Sequence, residues 1–366
     1  MKQGKKTRVG IIGVGMERGW ANLAHVPVLK EHAGYEIAAL SNRKKENAPA
    51  LKTATGASHI YESAEELVQS PEVDLVVVSV RVPLHYDLIK KTIAAGKNVL
   101  SEWPLGRNLQ EAEELATLAK KHQVKGYIGL QSRTVPAVRF IKDYIEQGNI
   151  GEVLSTSMIG SGIVYGEYIL QANDYTADPR NGTGMLHVTF GNAVDALTHV
   201  LGEFATLSAT TAIQRKTATM VETGEAVPIG TADQVAVTGT LQSGAVASIH
   251  FRGGTLPGTN FFWEINGTKG DIQITAPGGS LAVFDVTVKT STGENNAMQV
   301  IEIPAAYNVV ADKTLGNIPT NVGQLYHQIQ QGNAPTFEDA VIRHRMIAAI
   351  GESARTGTQQ SYLTSI

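Results

Sequence analysis

The chain has 366 residues, 42% of them hydrophobic and 18% charged, with a formal net charge of −3 at neutral pH and no cysteine. That length holds two domains of roughly 150 residues each with filled cores, which argues against disorder. The basic residues are dispersed and leave no footprint for a polyanion, while the missing thiols exclude disulfides, thiolate metal sites and cysteine nucleophiles.

The opening MKQGKKTRVGII carries a basic run, but its apolar segment ends at Gly13, too short for a signal-peptide core. No stretch approaches the roughly 20 apolar residues of a membrane-spanning helix. The expectation is a soluble, cytoplasmic protein without direct contact to nucleic acid or membrane. From Arg8, RVGIIG reads as a short strand of branched residues, followed by a glycine loop and by GWANLAHVPVLKEH with helical spacing. The pattern recurs in YEIAAL and a polar helix, in VDLVVVSV and LHYDLIKKTIAAG, in KNVLS and LQEAEELATLAKKH, and in VKGYIGL and AVRFIKDYIEQGN. Strands that are apolar throughout fit a parallel sheet covered on both faces. Residues 1–132 are therefore predicted to form a dinucleotide-binding Rossmann domain, a doubly wound parallel α/β sheet.

Beyond GNIGEV the texture changes. QVAVTGTL, SGAVASIHF, FFWEING and GDIQIT alternate with period two and are joined by glycine turns. They predict a carboxyl-terminal α+β domain over 133–366 with an open, mostly antiparallel β-sheet. A long helix over about 185–201 interrupts the strands. A terminal helix pair, about 320–330 and 337–355, closes the chain, and its final helix is a candidate for packing back on the first domain.

Gly13, Gly15 and Gly19 lie between the first strand and the first helix. Such glycines permit a tight turn and close approach of a pyrophosphate to a helix N-terminus. An NAD site ordinarily has a carboxylate at the end of the second strand. Here that strand ends AALSNRKK, with Ser41 and Asn42 in the acidic position and Arg43 behind them. A guanidinium there pairs with a 2′-phosphate, so the cofactor is expected to be NADP in preference to NAD. A solvated helix start accounts for Arg43 equally simply.

The segments VGIIGVGMERGWANLAHVPVL, DLVVVSVRVPLHYDLIKKTIAAGKNVLSEWPL, LQSRTVPAVRFIKDYIEQGNIGEV and INGTKGDIQI, with the tail FEDAVIRHRMIAAIGESARTG, resemble the Gfo/Idh/MocA family of sugar and polyol oxidoreductases over nearly the whole chain. Within it the likeness runs to the subgroup resembling the yeast galactose-pathway repressor, through GWA with Trp20, HVP, LQSR and Glu-Trp in place of Glu-Lys. The resemblance implies a homodimer or homotetramer, and a Glu-Lys-Pro whose lysine assists the substrate's proton. This chain has Glu102, Trp103 and Pro104 there. It also implies an aspartate, a histidine acid/base and a second aspartate on the long helix; Val188, Asn192 and Asp195 stand at those positions. Hydride transfer from an alcohol needs a proton acceptor, which neither tryptophan nor asparagine provides.

Two functions remain open. One is an NAD(P)-dependent oxidoreductase passing hydride between nicotinamide and a sugar, polyol or sugar derivative, with a non-standard acid/base. The alternative is a catalytically inactive dinucleotide-binding regulator acting through a protein partner. His187, at the start of the long helix, is the first candidate for the acid/base, against an ordinary structural role. Tyr165 is the second, in a polar, tyrosine-rich segment reaching Arg180 whose Tyr168, Asp174 and Tyr175 are expected to line a sugar-sized pocket. Asn192, Asp195 and His199 share a helix face, where Asp195 orients Asn192 or holds His199. Arg133 and Gln131, at the carboxyl end of the sixth strand, point to substrate or cofactor. His85 after the fourth strand is a cofactor contact or a helix cap, and His25 likewise. No metal-ligand spacing is present, and no metal is expected.

Overall fold

Six short apolar strands, β1 Thr7–Ile12, β2 Tyr35–Ser41, β3 His59–Tyr61, β4 Leu75–Val78, β5 Asn98–Glu102 and β6 Gly126–Gly129, form one parallel sheet in the order β3-β2-β1-β4-β5-β6. The computed structural model describes residues 5–16, 19–292, 297–310, 312 and 314–363. Val9, Ile11 and all of β4 are at most 2% exposed, as strands covered on both faces should be. Strand order reverses between β1 and β4, which makes their carboxyl ends the switch point where such sheets take ligands. The expected α/β doubly wound domain is present.

The helices start where local chemistry allows it. Ser63 accepts the Glu66 N–H at the head of Ala64–Gln69, and Asn108 accepts the Glu111 N–H at the head of Leu109–Lys121. A later helix, Asn317–Gln331, adds Val322, Leu325 and Tyr326 to the cluster built from Val9, Ile11, Val28 and Leu29. The described residues of Met1–Gln131 and Asn308–Val341 form one compact unit; those of Ser132–Tyr307 and Ile342–Ile366 form the other.

The second unit carries β7 Val153–Gly162, β8 Tyr168–Ile169, β9 Phe204–Ala212, β10 Thr217–Met220, β11 Ala226–Pro228, β12 Gln234–Leu241, β13 Val246–Gly253, β14 Phe261–Gly267, β15 Gly270–Ala276, β16 Thr287–Thr292 and β17 Gln299–Val300. Eight of them make a sheet ordered β17-β16-β15-β14-β7-β13-β12-β9, antiparallel except at β7–β13. Inward residues Val235, Val237, Ile249, Phe251, Trp263 and Ile265 share a core with Phe190, Val194 and Leu197 of the long helix. Outward residues such as Ser157, Ile159, Ser248 and His250 are exposed, giving the period-two pattern read from the sequence.

That long helix is one continuous run with a wide first turn, Leu186–Phe190 of π type and Gly191–Leu201 of α type. The polar segment before it is more ordered than a loop. It contains β8, which joins β10 and β11 in a small sheet, and the 3-10 turns Gln171–Ala177 and Pro179–Asn181. Ile169, Ala177 and Ala218 give this flap a core of its own.

Candidate functional site

At the switch point of the parallel sheet, Gly13 has φ +116°, and a Cβ on it would lie 2.0 Å from the Ser79 carbonyl oxygen. Only glycine fits there. Gly19 also has positive φ, +147°. Between them Asn22 clamps Gly15 at both ends: its Oδ1 accepts the Gly15 N–H at 3.1 Å and its Nδ2 donates to the Gly15 carbonyl at 2.8 Å. Trp20 packs partly buried against the sheet core and leads into the short π turn Ala21–His25. Among the described residues its buried Nε1 has no hydrogen-bond partner, and neither has the buried Ser79 Oγ after β4. Buried donors are normally satisfied, so two orphans by the glycine turn fit a polar ligand such as a dinucleotide.

At the end of β2, Asn42 is a local brace. Its Nδ2 donates to the Val14 carbonyl at 3.3 Å and its Oδ1 accepts the Lys44 N–H at 3.0 Å. Ser41 is half-buried beside it, while Arg43 is exposed and makes no ion pair with the described residues.

The Glu102-Trp103-Pro104 stretch follows β5, with a cis peptide bond before Pro104. Trp103 is 6% exposed. Glu102 is held from two sides: Gln131 Nε2 reaches both its oxygens at 3.0 and 2.8 Å, and His25 Nε2 lies 2.7 Å from Oε1. The other His25 nitrogen meets the Tyr326 hydroxyl at 2.9 Å, and Tyr35 donates to the Tyr326 carbonyl. Burial pushes the Tyr326 phenol well above its usual range, so it stays neutral. Gln131 thus serves Glu102.

His85 is fully buried. Its Nδ1 lies 2.9 Å from the Pro104 carbonyl and its Nε2 3.0 Å from the Val80 carbonyl, so it ties the turn after β4 to the segment after β5. Desolvation lowers its pKa against those carbonyls, which leaves one N–H to serve the two acceptors.

On the long helix of the second unit, Asn192 Oδ1 accepts the backbone N–H of Ser132 at 3.1 Å. Arg133 grips the fully buried Asp195, Nε to Oδ2 at 2.7 Å and a terminal nitrogen to Oδ1 at 2.5 Å. Arg343 Nε reaches the same Oδ1 at 3.4 Å, and its terminal nitrogens bind Glu203 at 3.2 and 2.6 Å. Tyr362 donates to Glu203 at 2.5 Å. Two guanidinium and two carboxylate groups thus balance one another where isolated charge would be costly. The sequence reading of Asp195 as a partner for Asn192 or His199 overlooked Arg343, and the reading of Arg133 overlooked its side-on bond to Asp195.

His187 is half-buried on the first turn of this helix, and loss of hydration pulls its pKa down to about 4. Its electrostatic neighbour His344 is 1% exposed and lies at about 3, lowered by burial and then by His187. Both are neutral imidazoles at neutral pH. Tyr165 donates to the Thr183 carbonyl at 2.9 Å, and burial raises its phenol far above the ordinary value, so it is a fixed neutral donor. The cavity it lines with Arg215 and Asp233 measures about 20 Å3, room for about one water and not for a sugar. Arg180 is exposed and pairs with Asp178, and Tyr168 is 60% exposed.

Sequence reasoning passed over Asn22, Ser79, Arg343 and His344 as parts of these sites. Asn22 gives no signal in its residue type or spacing, and its clamp on Gly15 is seen only in the fold; Ser79, Arg343 and His344 acquire meaning only through residues distant in the chain. Among the described residues no group of three or more His, Asp or Glu side chains is placed to hold a metal ion, and no helix is long and apolar enough to cross a membrane.

Comparison with known proteins fits this division. Residues 7–130 match the family described as "Oxidoreductase family, NAD-binding Rossmann fold", and residues 136–276 match "Gal80p, C-terminal domain". The dehydrogenase aclE of Aspergillus oryzae is 31% identical over 376 residues, spanning 98% of this chain and 99% of that protein. The galactose/lactose metabolism regulatory protein GAL80 of Saccharomyces cerevisiae is 26% identical, spanning 96% and 93%. A crystal structure of its super-repressor mutant superposes with a TM-score of 0.88 at 25% identity, covering 99% of this chain and all of that one. Levoglucosan dehydrogenase in complex with NADH shares the fold, with a TM-score of 0.82 at 19% identity over 99% and 100%.

Proposed function

Since the chain belongs to the Gfo/Idh/MocA oxidoreductase family, with its NAD-binding Rossmann fold, we propose that it is a nicotinamide-dependent dehydrogenase or reductase acting on a CH–OH group of a sugar, polyol or sugar derivative. The observation that carries this reading is the glycine turn at Gly13, where any side chain would strike the Ser79 carbonyl and two buried donors stand without partners among the described residues. Gly13, Gly15 and Gly19 admit a pyrophosphate, Trp20 Nε1 and Ser79 Oγ donate to the bound molecule, and Arg43 pairs with a 2′-phosphate, which favours NADP. The dinucleotide, when bound, supplies or receives a hydride at its nicotinamide ring.

The proton is the task of this chain's own residues. In the oxidising direction the carbinol oxygen loses its proton as the carbon loses hydride, and the neutral His187 imidazole takes that proton; in reduction the same group returns it. Glu102 does not serve as this acid, because His25 and Gln131 occupy its oxygens. Asn192 and Asp195 hold the helix that carries His187.

A second reading is a dinucleotide-binding regulator that acts through a protein partner. It is favoured by Trp103, which puts an uncharged, buried indole where the family resemblance places a lysine. Fluorescence titration with NADPH and NADH, followed by nicotinamide absorbance on adding sugars, ketoses and polyols, separates the two. Binding with turnover supports the enzyme; tight binding without turnover across the panel overturns it in favour of the regulator.

A further inference from the structure

The amide of Asn22 fits its surroundings in one orientation. A backbone N–H only donates and a carbonyl only accepts, so Oδ1 faces the Gly15 N–H at 3.1 Å and Nδ2 faces the Gly15 carbonyl at 2.8 Å. A flipped amide would set donor against donor and acceptor against acceptor. One planar side chain therefore holds the two peptide groups that flank the Gly15 Cα. A Cβ on Gly19 would lie 3.8 Å from the same Oδ1, so Asn22 sits between the second and third glycines of the turn. The side chain is itself braced. Asn22 is half-buried in the π turn Ala21–His25, the next residue, Leu23, donates its N–H to the Gly19 carbonyl at 3.1 Å, and the last residue of the turn, His25, lies 2.7 Å from Glu102 at the end of β5.

These bonds decide which donors the turn can offer. The Gly15 N–H is occupied by a side chain, whereas Trp20 Nε1 and Ser79 Oγ are buried and have no partner among the described residues. We propose that Asn22 is a positioning residue for the dinucleotide: it stiffens the turn at Gly15 and occupies that backbone N–H, so that the pyrophosphate is met by the side-chain donors Trp20 and Ser79 on a turn with little freedom left to lose on binding. This role presupposes the dinucleotide reading of the glycine turn. Asn22 acts through Gly15 and not by touching the ligand. An amide suits the task because it satisfies an N–H and a carbonyl together without placing a charge beside an anionic ligand; a carboxylate in its place would lose the donor and repel the pyrophosphate.

The test is fluorescence titration of the full-length protein with NADPH and NADH, together with hydrogen exchange of the Gly15 amide in the free protein. Asn22→Ala is expected to raise both dissociation constants about tenfold and by the same factor, because the two cofactors share the pyrophosphate. Asn22→Asp keeps an acceptor for the Gly15 N–H but adds a negative charge, and it is expected to bind both cofactors about 100-fold more weakly than the wild type. Independently of any variant, the Gly15 amide of the free wild type should exchange slowly, as a bonded N–H does, and exchange at the rate of an unstructured peptide would overturn the clamp. Wild-type affinity in Asn22→Ala, a loss confined to one of the two cofactors, or wild-type affinity in Asn22→Asp would each overturn the positioning role and leave the dinucleotide reading intact. A wild type that binds neither cofactor would overturn that reading, and the proposed role with it.

Discussion

Two carboxylates, one in each unit, occupy motif positions whose proton-transfer neighbour has been replaced, and they are held in opposite ways. Glu102 lies between the amide of Gln131 and the imidazole of His25, whose other nitrogen meets the Tyr326 hydroxyl. Asp195 lies between two guanidinium groups, those of Arg133 and Arg343, with Glu203 and Tyr362 completing the set. Each carboxylate is part of the scaffold: Glu102 fixes the helix start at His25, and Asp195 fixes the long helix that bears His187 and Asn192. A lysine or a histidine beside such a carboxylate is then exchangeable without loss of fold, which is how Trp103 and Asn192 are accommodated.

The comparison predicts unequal costs. Asp195→Ala leaves Arg343, 1% exposed, and Arg133 without their shared counter-charge, and should destabilise the protein by about 3–5 kcal/mol, read from denaturant unfolding. Glu102→Ala removes hydrogen bonds to one amide and one imidazole, with no guanidinium left behind, and should cost about 1–3 kcal/mol. An equal loss from both would remove the distinction drawn between them.

The buried imidazoles supply the next effect. Below about 6.5 the unfolded chain protonates His187 and His344, whereas the native state resists until about 4 and about 3. Stability should therefore fall as pH is lowered from 6.5 toward that range, and these two groups should contribute no slope above it. Tm measured against pH shows this, and His344→Gln should flatten the curve. The smallest effect concerns cofactor choice: if Arg43 meets the 2′-phosphate as proposed, Arg43→Ala should weaken NADPH about tenfold and leave NADH, which has no such phosphate, unchanged. Equal affinities of the wild-type protein for the two cofactors would remove the NADP preference.

Much of the fold was legible because it follows from local pattern. QVAVTGTL is β12 itself, and the terminal helices, read at about 320–330 and 337–355, are Asn317–Gln331 and Phe337–Thr356. What escaped was contact between distant residues. His25 and Tyr326 are 301 positions apart, and Asp195 and Arg343 are 148 apart. No periodicity announces such pairs, so helix Asn317–Gln331 could not be assigned to the first unit, nor Arg133 tied to the helix, from spacing alone. The flap was missed for a related reason: β8 has two residues and pairs with β10 about fifty positions on. The glycine turn was legible in its residue types, and the clamp by Asn22 was not.

His187 is proposed as the proton acceptor of a working dehydrogenase. The most direct measurement is the solvent-side proton balance of a single turnover, followed by pH-indicator absorbance alongside nicotinamide absorbance, in wild type and in His187→Ala with its Tm checked. Turnover is expected of the wild type, and in the variant a hydride step about 100- to 10,000-fold slower with cofactor affinity intact. A variant that transfers hydride at the wild-type rate, or a wild type that binds cofactor and never turns over, would contradict it.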